Sequence, residues 1–457
     1  MSESAVSTPS PHAHAGSNRW GYAYSAGLVL ASGGGRLLPE GTKGPLLAGI
    51  PYEFLLFALT LGGVALFHRL TLLVAVSGLV SIATLKVGFA GLDLAHHLQH
   101  EWVVLANLAC LLLGFALLAD HFERSHVPEL LPRWLPGGWA GGFVLLALVF
   151  ALSAFLDNIA AAMIGATIAK VVFAGRVHVG YLAGIVAASN AGGAGSVVGD
   201  TTTTMMWIGG VSPLGVLPAF VAAIPALLVL GVIAARQQDA HHPIQADPAH
   251  GVSVDGGRLL VVAMVLAAAI GVNVTVNVAF VEHADRFPFI GVAIATALVL
   301  TAPIRRPTWS LLRGAFVGSC FLLALVLCAS LMPVEELPSP SWRSALGLGF
   351  LSAVFDNIPL TKLAIDQGGY DWGVLAYAVG FGGSMVWFGS SAGVAVSNTF
   401  PEAKSVATWL RHGWHVIVAY IVGFAVLLGT LGWQPTPKRG DAIAPHPAHS
   451  GSSVPEK

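Results

Sequence analysis

Ser153-Ala154-Phe155-Leu156-Asp157-Asn158-Ile159 recurs as Ser352-Ala353-Val354-Phe355-Asp356-Asn357-Ile358, identical at five of seven positions and embedded each time in an apolar stretch. An ionised aspartate at the centre of a membrane helix costs about 2.5–3.5 kcal/mol on insertion scales, and residues that costly mark ion or substrate paths. One such residue also has a plainer explanation, since Asp and Asn commonly cap helices. Two in the same context argue for a duplicated architecture with a shared purpose.

Working outward, the 457 residues are 55% hydrophobic and only 10% charged. Soluble domains carry about 25% charged residues, so the chain reads as an all-α polytopic membrane protein. A formal net charge of −1 excludes an extended nucleic-acid surface. Cys110, Cys320 and Cys328 lie in apolar segments without zinc or disulfide spacing, and read as small core or lipid-side residues.

Apolar runs of spanning length fall at roughly 47–67, 71–91, 102–119, 213–235, 259–281, 288–304, 311–332 and 412–433. Two longer regions are broken by Gly, Pro and the Asp-Asn pairs. The resulting organisation is a disordered or short segment over 1–46, a first repeat over 47–235, a polar linker over 236–258, a second repeat over 259–433 and a disordered tail over 434–457. Within 1–46, residues 21–33 are too short to span and are consistent with a signal-like or an interfacial piece. Each repeat is expected to hold about five membrane helices plus a re-entrant hairpin (about 139–175 and 343–370) and a broken helix (about 180–208 and 371–400). Lys and Arg collect on the cytoplasmic side of short loops. Arg69, Arg124, Arg133, Arg176, Arg236, Arg258, Arg305, Arg306, Lys404 and Arg411 share that side only if both hairpins enter and leave on one face. The hairpins then open to opposite sides, so the repeats are inverted.

At the hairpin tips the helix must turn inside the membrane, where irregular backbone is tolerated only if protein or a water-filled cavity satisfies it. Open carbonyls, the Asp157 and Asp356 carboxylates and the Asn158 and Asn357 amides form an oxygen-rich site suited to a hard monovalent cation or a proton. The broken helix of the first half reads Ser189-Asn190-Ala191-Gly192-Gly193-Ala194-Gly195-Ser196-Val197-Val198-Gly199-Asp200-Thr201-Thr202-Thr203-Thr204. Asn190, Asp200, Thr201 and Thr202 are its candidate ligands; the plainer alternative is close helix packing at the glycines and threonines bonded back to carbonyls. The matching run, Gly380 to Gly393, offers hydroxyls at Ser384, Ser390 and Ser391 but no acid, so the half-sites are unequal. Lys362, six residues after Asp356, is a candidate neutralising partner or exchanging group. Lys86 is expected to pair with an acid or to snorkel.

At these motifs the chain resembles the NhaD-type sodium/proton antiporters of the ion transporter superfamily, which also holds citrate carriers, arsenite permeases and divalent-anion symporters. The resemblance rests on Leu156-Asp157-Asn158, on Asn190 to Ala194 with Gly199-Asp200 and the residues through Ile208, on Ser352 to Leu360, and on Gly382 to Met385 with Gly389 to Ala395. It implies a homodimer in the bacterial inner membrane, alternating access by an elevator-like movement, and Asp157, Asp200 and Asp356 as the acids that hold sodium or protons. The sequence departs from the family after the first Asp-Asn pair, where Ile159-Ala160-Ala161-Ala162 replaces a threonine run, and at Lys362.

No Gly-x-x-x-x-Gly-Lys-Ser/Thr run exists for ATP, so gradient-driven exchange of a monovalent cation, sodium, for protons is the leading expectation. No cofactor is expected beyond sodium or protons as coupling ions. The competing reading is cation-coupled uptake of citrate or a dicarboxylate, against which two acidic tips would repel the anion. No nucleophile and base are paired for catalysis, so an enzyme is not expected.

Overall fold

The computed structural model describes residues 11–37, 40–41, 44–47, 50–67, 70–130, 135–244, 253–280, 283 and 286–436. Helix α1 spans Pro11–Ala31, followed by three short antiparallel strands, β1 Glu40–Gly41, β2 Gly44–Leu47 and β3 Ile50–Pro51. Then come α2 Tyr52–Leu66, α3 Thr71–Phe89, α4 Leu94–Glu123, α5 Val127–Leu130, α6 Trp139–Ser153, α7 Asn158–Val172, α8 Val179–Gly193, α9 Thr201–Ile208, α10 Pro213–Val216 and α11 Ala219–His241. The second half adds α12 Gly256–Ala279, α13 Phe289–Thr301, α14 Leu311–Ser330, α15 Trp342–Ser352, α16 Asn357–Gln367, α17 Trp372–Gly382, α18 Ser391–Thr399, α19 Val406–His412 and α20 Trp414–Leu431.

Five stretches among the described residues are long and apolar enough to cross a membrane: Thr71–Phe89, Leu94–Glu123, Pro213–His241, Leu311–Ser330 and Trp414–Leu431. With the shorter apolar helices they make an all-α membrane protein, to which the Gly- and Pro-rich stretch 40–51 adds the small β meander. These helices are apolar on every side, as lipid on one face and protein on the other require.

The chain's ends differ from expectation. The segment read as disordered or short carries a helix from Pro11, because Gly21, Ser25 and Leu28 fall on one helical face and are buried there. Tyr24 donates to the Leu59 carbonyl at 2.6 Å and Ser81 Oγ to the Leu28 carbonyl at 2.7 Å, which ties α1 to α2 and α3. At the other end the tail begins pinned: Gln434 N donates to Asp371 Oδ2 at 2.9 Å and Trp372 Nε1 to the Thr436 carbonyl at 2.8 Å. Between the halves, α11 continues to His241 and Asp255 caps α12, so helix enters both ends of the polar linker.

Two packing groups emerge. Helices α3, α4, α12, α13 and α14 pack on one another, with α2 against α3; α6, α8, α11, α17 and α20 form the second group. Lys86 of α3 pairs with the buried Glu53 of α2 at 3.3 Å, the acid partner expected for it.

Basic residues gather at one end of the bundle. Arg236 lies over the Trp139 ring, 5.2 Å from its centroid; Gln238 donates to the Arg176 carbonyl at 3.0 Å; Arg305 binds Asp255 at 2.8 Å; Arg258 contacts His121 at 3.2 Å. The start of α6 and the end of α7 therefore meet the same turn of α11. At this end His178 packs 4.8 Å from the His412 ring and 5.4 Å from His241. Burial first, then the like-charging His412 and His241, push the His178 imidazole down from 6.5 to about 4. The unfolded chain thus binds more protons between these values, so stability held above pH 6.5 is lost as pH falls toward 4. Thermal melting should fall over that window, and His178→Asn, which keeps a capping oxygen, should flatten the fall.

Candidate ion site

The two repeated motifs fold alike. Residues 154–157 turn between α6 and α7, and 353–356 between α15 and α16. Asp157 caps α7 by accepting from Ile159 N at 3.1 Å, and Asp356 caps α16 by accepting from Ile358 N at 3.0 Å. The interrupted helices also match: α8 gives way to a break over 194–200 before α9, and α17 to one over 383–390 before α18. Asp200 caps α9 through Thr202 N at 3.1 Å and Ser390 caps α18 through Gly393 N at 3.3 Å. Capping is therefore real at every candidate acid.

The caps also converge. Asn158 Nδ2 donates to Asn190 Oδ1 at 3.0 Å and to Asp200 Oδ1 at 3.3 Å; Asn190 Nδ2 donates to Ser384 Oγ at 2.9 Å. Thr202 Oγ1 donates to Asp200 Oδ2 at 2.7 Å and Thr201 Oγ1 to Oδ1 at 3.4 Å. One buried network thus joins Asn158, Asn190, Asp200, Thr201, Thr202 and Ser384 across both halves. Asp157 and Asp356 both lie close enough to Asp200 for their charges to interact, and Ser391 bonds the Asp356 carboxylate. The partnering is crosswise, since α9 packs on α16 and α18 on α7. The N-terminal ends of four short helices face the shared region, and their partial positive charges offset the repulsion of three acids.

The outer threonines follow the plainer reading. Thr203 Oγ1 donates to the carbonyls of Ser196 (2.6 Å) and Asp200 (2.9 Å), and Thr204 Oγ1 to those of Val197 (2.8 Å) and Asp200 (2.9 Å). They staple the break shut.

Inequality between the halves has a steric cause. With Gly192-Gly193 set against Gly382-Gly383, Asn190 corresponds to Gly380 and Asp200 to Ser390. Asn357, the counterpart of Asn158, accordingly has a buried Nδ2 with no partner among the described residues. The missing side chain is also room: a Cβ at Gly380 would stand 3.0 Å from Asp200 Oδ2 and 3.7 Å from Thr202 Oγ1. Gly380→Ala should therefore raise the cation concentration needed for half-maximal activity several-fold with folding intact, measured by cation titration in vesicles.

A cavity of about 570 Å³ reaches Asp157 between α7 on one side and α4 and α14 on the other. Met163, Thr167, Leu322, Ser319 and Ser391 line it with Asp157, and Asp120 and Glu123 line it where α4 ends and α14 begins. That end is the basic one, where Asp120 binds Arg124 at 2.8 Å and Thr308 at 2.7 Å.

One expectation needs correction. Lys362 does not neutralise Asp356: its Nζ lies 2.7 Å from Asp366 Oδ1 and 3.2 Å from Glu101 Oε1, because one and a half helical turns carry it away from the cap toward α4. Among the described residues no three acid, His or Cys side chains are grouped tightly enough to hold a metal ion unaided. Each carboxylate is held at its own helix end. Two participants were missed: Glu101 sat one residue outside the span drawn from 102, and Gly380 has no functional group to notice.

No family model matches the chain. It is 28% identical over 410 residues to sodium/proton antiporter 1 of Arabidopsis thaliana, covering 77% of this chain and 66% of that relative. It is 26% identical over 398 residues to the Na(+)/H(+) antiporter NhaD of Vibrio parahaemolyticus, covering 72% of this chain and 91% of the other. The chain is a relative of the NhaD-type sodium/proton antiporters. Sodium/proton antiporter 2 of Arabidopsis thaliana, 25% identical with 76% and 90% covered, extends that similarity. Since the NhaD-type relatives include plant and bacterial proteins, the likeness establishes a membrane transporter relative without fixing which membrane holds it.

Proposed function

We propose that the chain is a sodium/proton antiporter in which Asp157, Asp200 and Asp356 alternate between holding the cation and holding protons. The observation that carries this reading is the buried network that joins Asp200 to Asn158, Asn190, Thr201, Thr202 and Ser384 across both halves, with Asp157 and Asp356 close enough for their charges to interact with Asp200 and Asp157 reached by a cavity. Sodium would be held by one or two carboxylates together with neutral oxygens, which suits a hard monovalent ion. Asn357 would supply its amide oxygen, its buried Nδ2 having no partner among the described residues to fix the amide's orientation. Protons and the cation compete for the same oxygens, so exchange needs no nucleotide.

In this reading α6–α7 and α15–α16 are re-entrant hairpins of two inverted repeats. Supporting this, the start of α6 and the end of α7 meet the basic end, while Gln367 Nε2, ending α16, donates to the Pro338 carbonyl just before α15 at 2.9 Å. Helix α14 separates the two bases by its full length, from the basic end at Leu311 to Ser330. The cavity at Asp157 would then be a cytoplasmic entrance, with Asp120 and Glu123 raising the local cation concentration at its mouth. A homodimer in the cytoplasmic membrane of a bacterium completes the proposal.

The test is reconstitution into liposomes with a pH dye inside, followed by external sodium, lithium, potassium or citrate. Sodium alone should alkalinise or acidify the lumen according to the imposed gradient. A response that requires citrate would replace antiport by symport, and none with any cation would end the proposal.

A further inference from the structure

A buried ion pair outside the network joins α16 to α4. Lys362 of α16 is 6% exposed and Glu101 of α4 is 8% exposed. Nζ stands 3.2 Å from Glu101 Oε1 and 3.1 Å from Oε2. On its own helix, Lys362 also holds Asp366 at 2.7 Å, four residues on, at the half-exposed end of α16. One turn before Glu101, His97 contacts Ser330 Oγ of α14 through Nε2 at 3.0 Å. Helix α16 is capped by Asp356 and packs broadly on α14, so this pair lies on the helix that carries the second Asp-Asn motif to the α4–α14 group.

We infer that Glu101 and Lys362 are positioning residues for exchange: a latch that holds the α16 arm against α4 and selects the state in which Asp157 is open to the cavity. This rests on the antiport reading. A site that faces the two sides in turn must move relative to the helices around it, and any slide of α16 past α4 separates this pair. A buried charge stripped of its partner is strongly unfavourable, whereas a pair replaced as a whole by neutral groups is not. The arrangement is asymmetric in a useful way. Lys362 keeps Asp366 when the arm moves, since both ride on α16, and the charge left behind is Glu101. The latch therefore weights the two facing states without touching the caps or amides of the ion network.

The test replaces Cys110, Cys320 and Cys328, then places a single reporter by Thr167→Cys, whose parent residue lines the cavity. Labelling with a membrane-impermeant thiol reagent, in vesicles of both orientations, reads the open population without any need for transport. The double variant Glu101→Gln, Lys362→Met removes both charges together and should fold as the parent does. It is expected to slow labelling from the cavity side about 10-fold, equivalent to about 1.4 kcal/mol, and to change turnover while leaving the half-saturating sodium concentration within about twofold once corrected for the open fraction. Glu101→Asp, which keeps the charge, should restore most of the labelling. If the double variant is labelled at the parental rate and turns over as the parent does, the latch is overturned even though exchange stands. If labelling shifts but neither protein moves sodium or protons, the antiport reading fails and the latch, as a contact that sets the open population, survives it. A variant recovered only as aggregate by size exclusion, against a well-behaved Glu101→Asp, would make the pair structural and likewise overturn the proposal.

Discussion

Asp200→Asn is expected to reduce sodium-driven proton movement by at least ~100-fold, about 2.7 kcal/mol, with the protein inserted and monodisperse. The carboxylate receives Thr202 Oγ1, Thr202 N, Thr201 Oγ1 and Asn158 Nδ2. Hydrogen bonds to a charged group contribute about 1.5–3 kcal/mol, and an amide of the same shape converts at least one acceptor into a donor facing other donors. The helix cap itself survives, because Asn caps as well as Asp. That separates the structural role of Asp200 from its charge: folding should hold while exchange is lost. Asp157→Asn and Asp356→Asn should also abolish exchange with the caps kept, for both remove a carboxylate whose charge interacts with that of Asp200. Thr202→Val should be milder, about 10-fold, since it removes one donor and leaves the acid. The check is the liposome assay beside a size-exclusion profile. Exchange within about threefold of the parent in Asp200→Asn would remove this residue from the ion path.

The second large effect is structural. Gly192→Ala and Gly382→Ala should each cost about 1–3 kcal/mol through overpacking, seen as a clear drop in the temperature of aggregation by fluorescence-detected size exclusion. A Cβ at Gly192 would collide with the Phe150 carbonyl of α6, and one at Gly382 with the Gly349 carbonyl of α15. In both cases the obstacle is backbone, which cannot rotate aside as a side chain does. The collisions match because each broken helix leans on the first arm of its own helical pair. Separation of these helices would also displace the breaks that carry Asp200 and Ser384, so exchange should fall with stability. Gly62→Ala in α2 is the control: nothing lies within 4 Å of its added Cβ, and alanine is the better helix former. If the two broken-helix variants melt like that control, this account of the glycine pairs is wrong.

Those glycines show how the sequence divides into legible and illegible parts. Their repetition at matched distance from the Asp-Asn motifs marked the broken helices, yet α8 runs through Gly192-Gly193 and α17 as far as Gly382 before either breaks. Glycine was needed there for close approach, and each break runs on through Gly199 or its counterpart Gly389. Lys362 shows the opposite failure. Six residues along the chain from Asp356 suggested a partner, but a helix turns 3.6 residues at a time, and the ammonium points to an acid 261 positions earlier.

What the sequence determined by itself was the inventory: a membrane chain, two matched halves, three acids each beside a break, and the relatives those motifs imply. Hydrophobic run length, helix-breaking residues and costly buried charges are local properties, written wherever they occur. Tertiary structure alone decided the partnerships. It crossed α9 onto α16 and α18 onto α7, used the emptiness of Gly380 to admit Asp200, and drew Glu101 to Lys362. Such contacts depend on which faces of distant helices meet, and no spacing along a chain encodes that without the packing that brings them together.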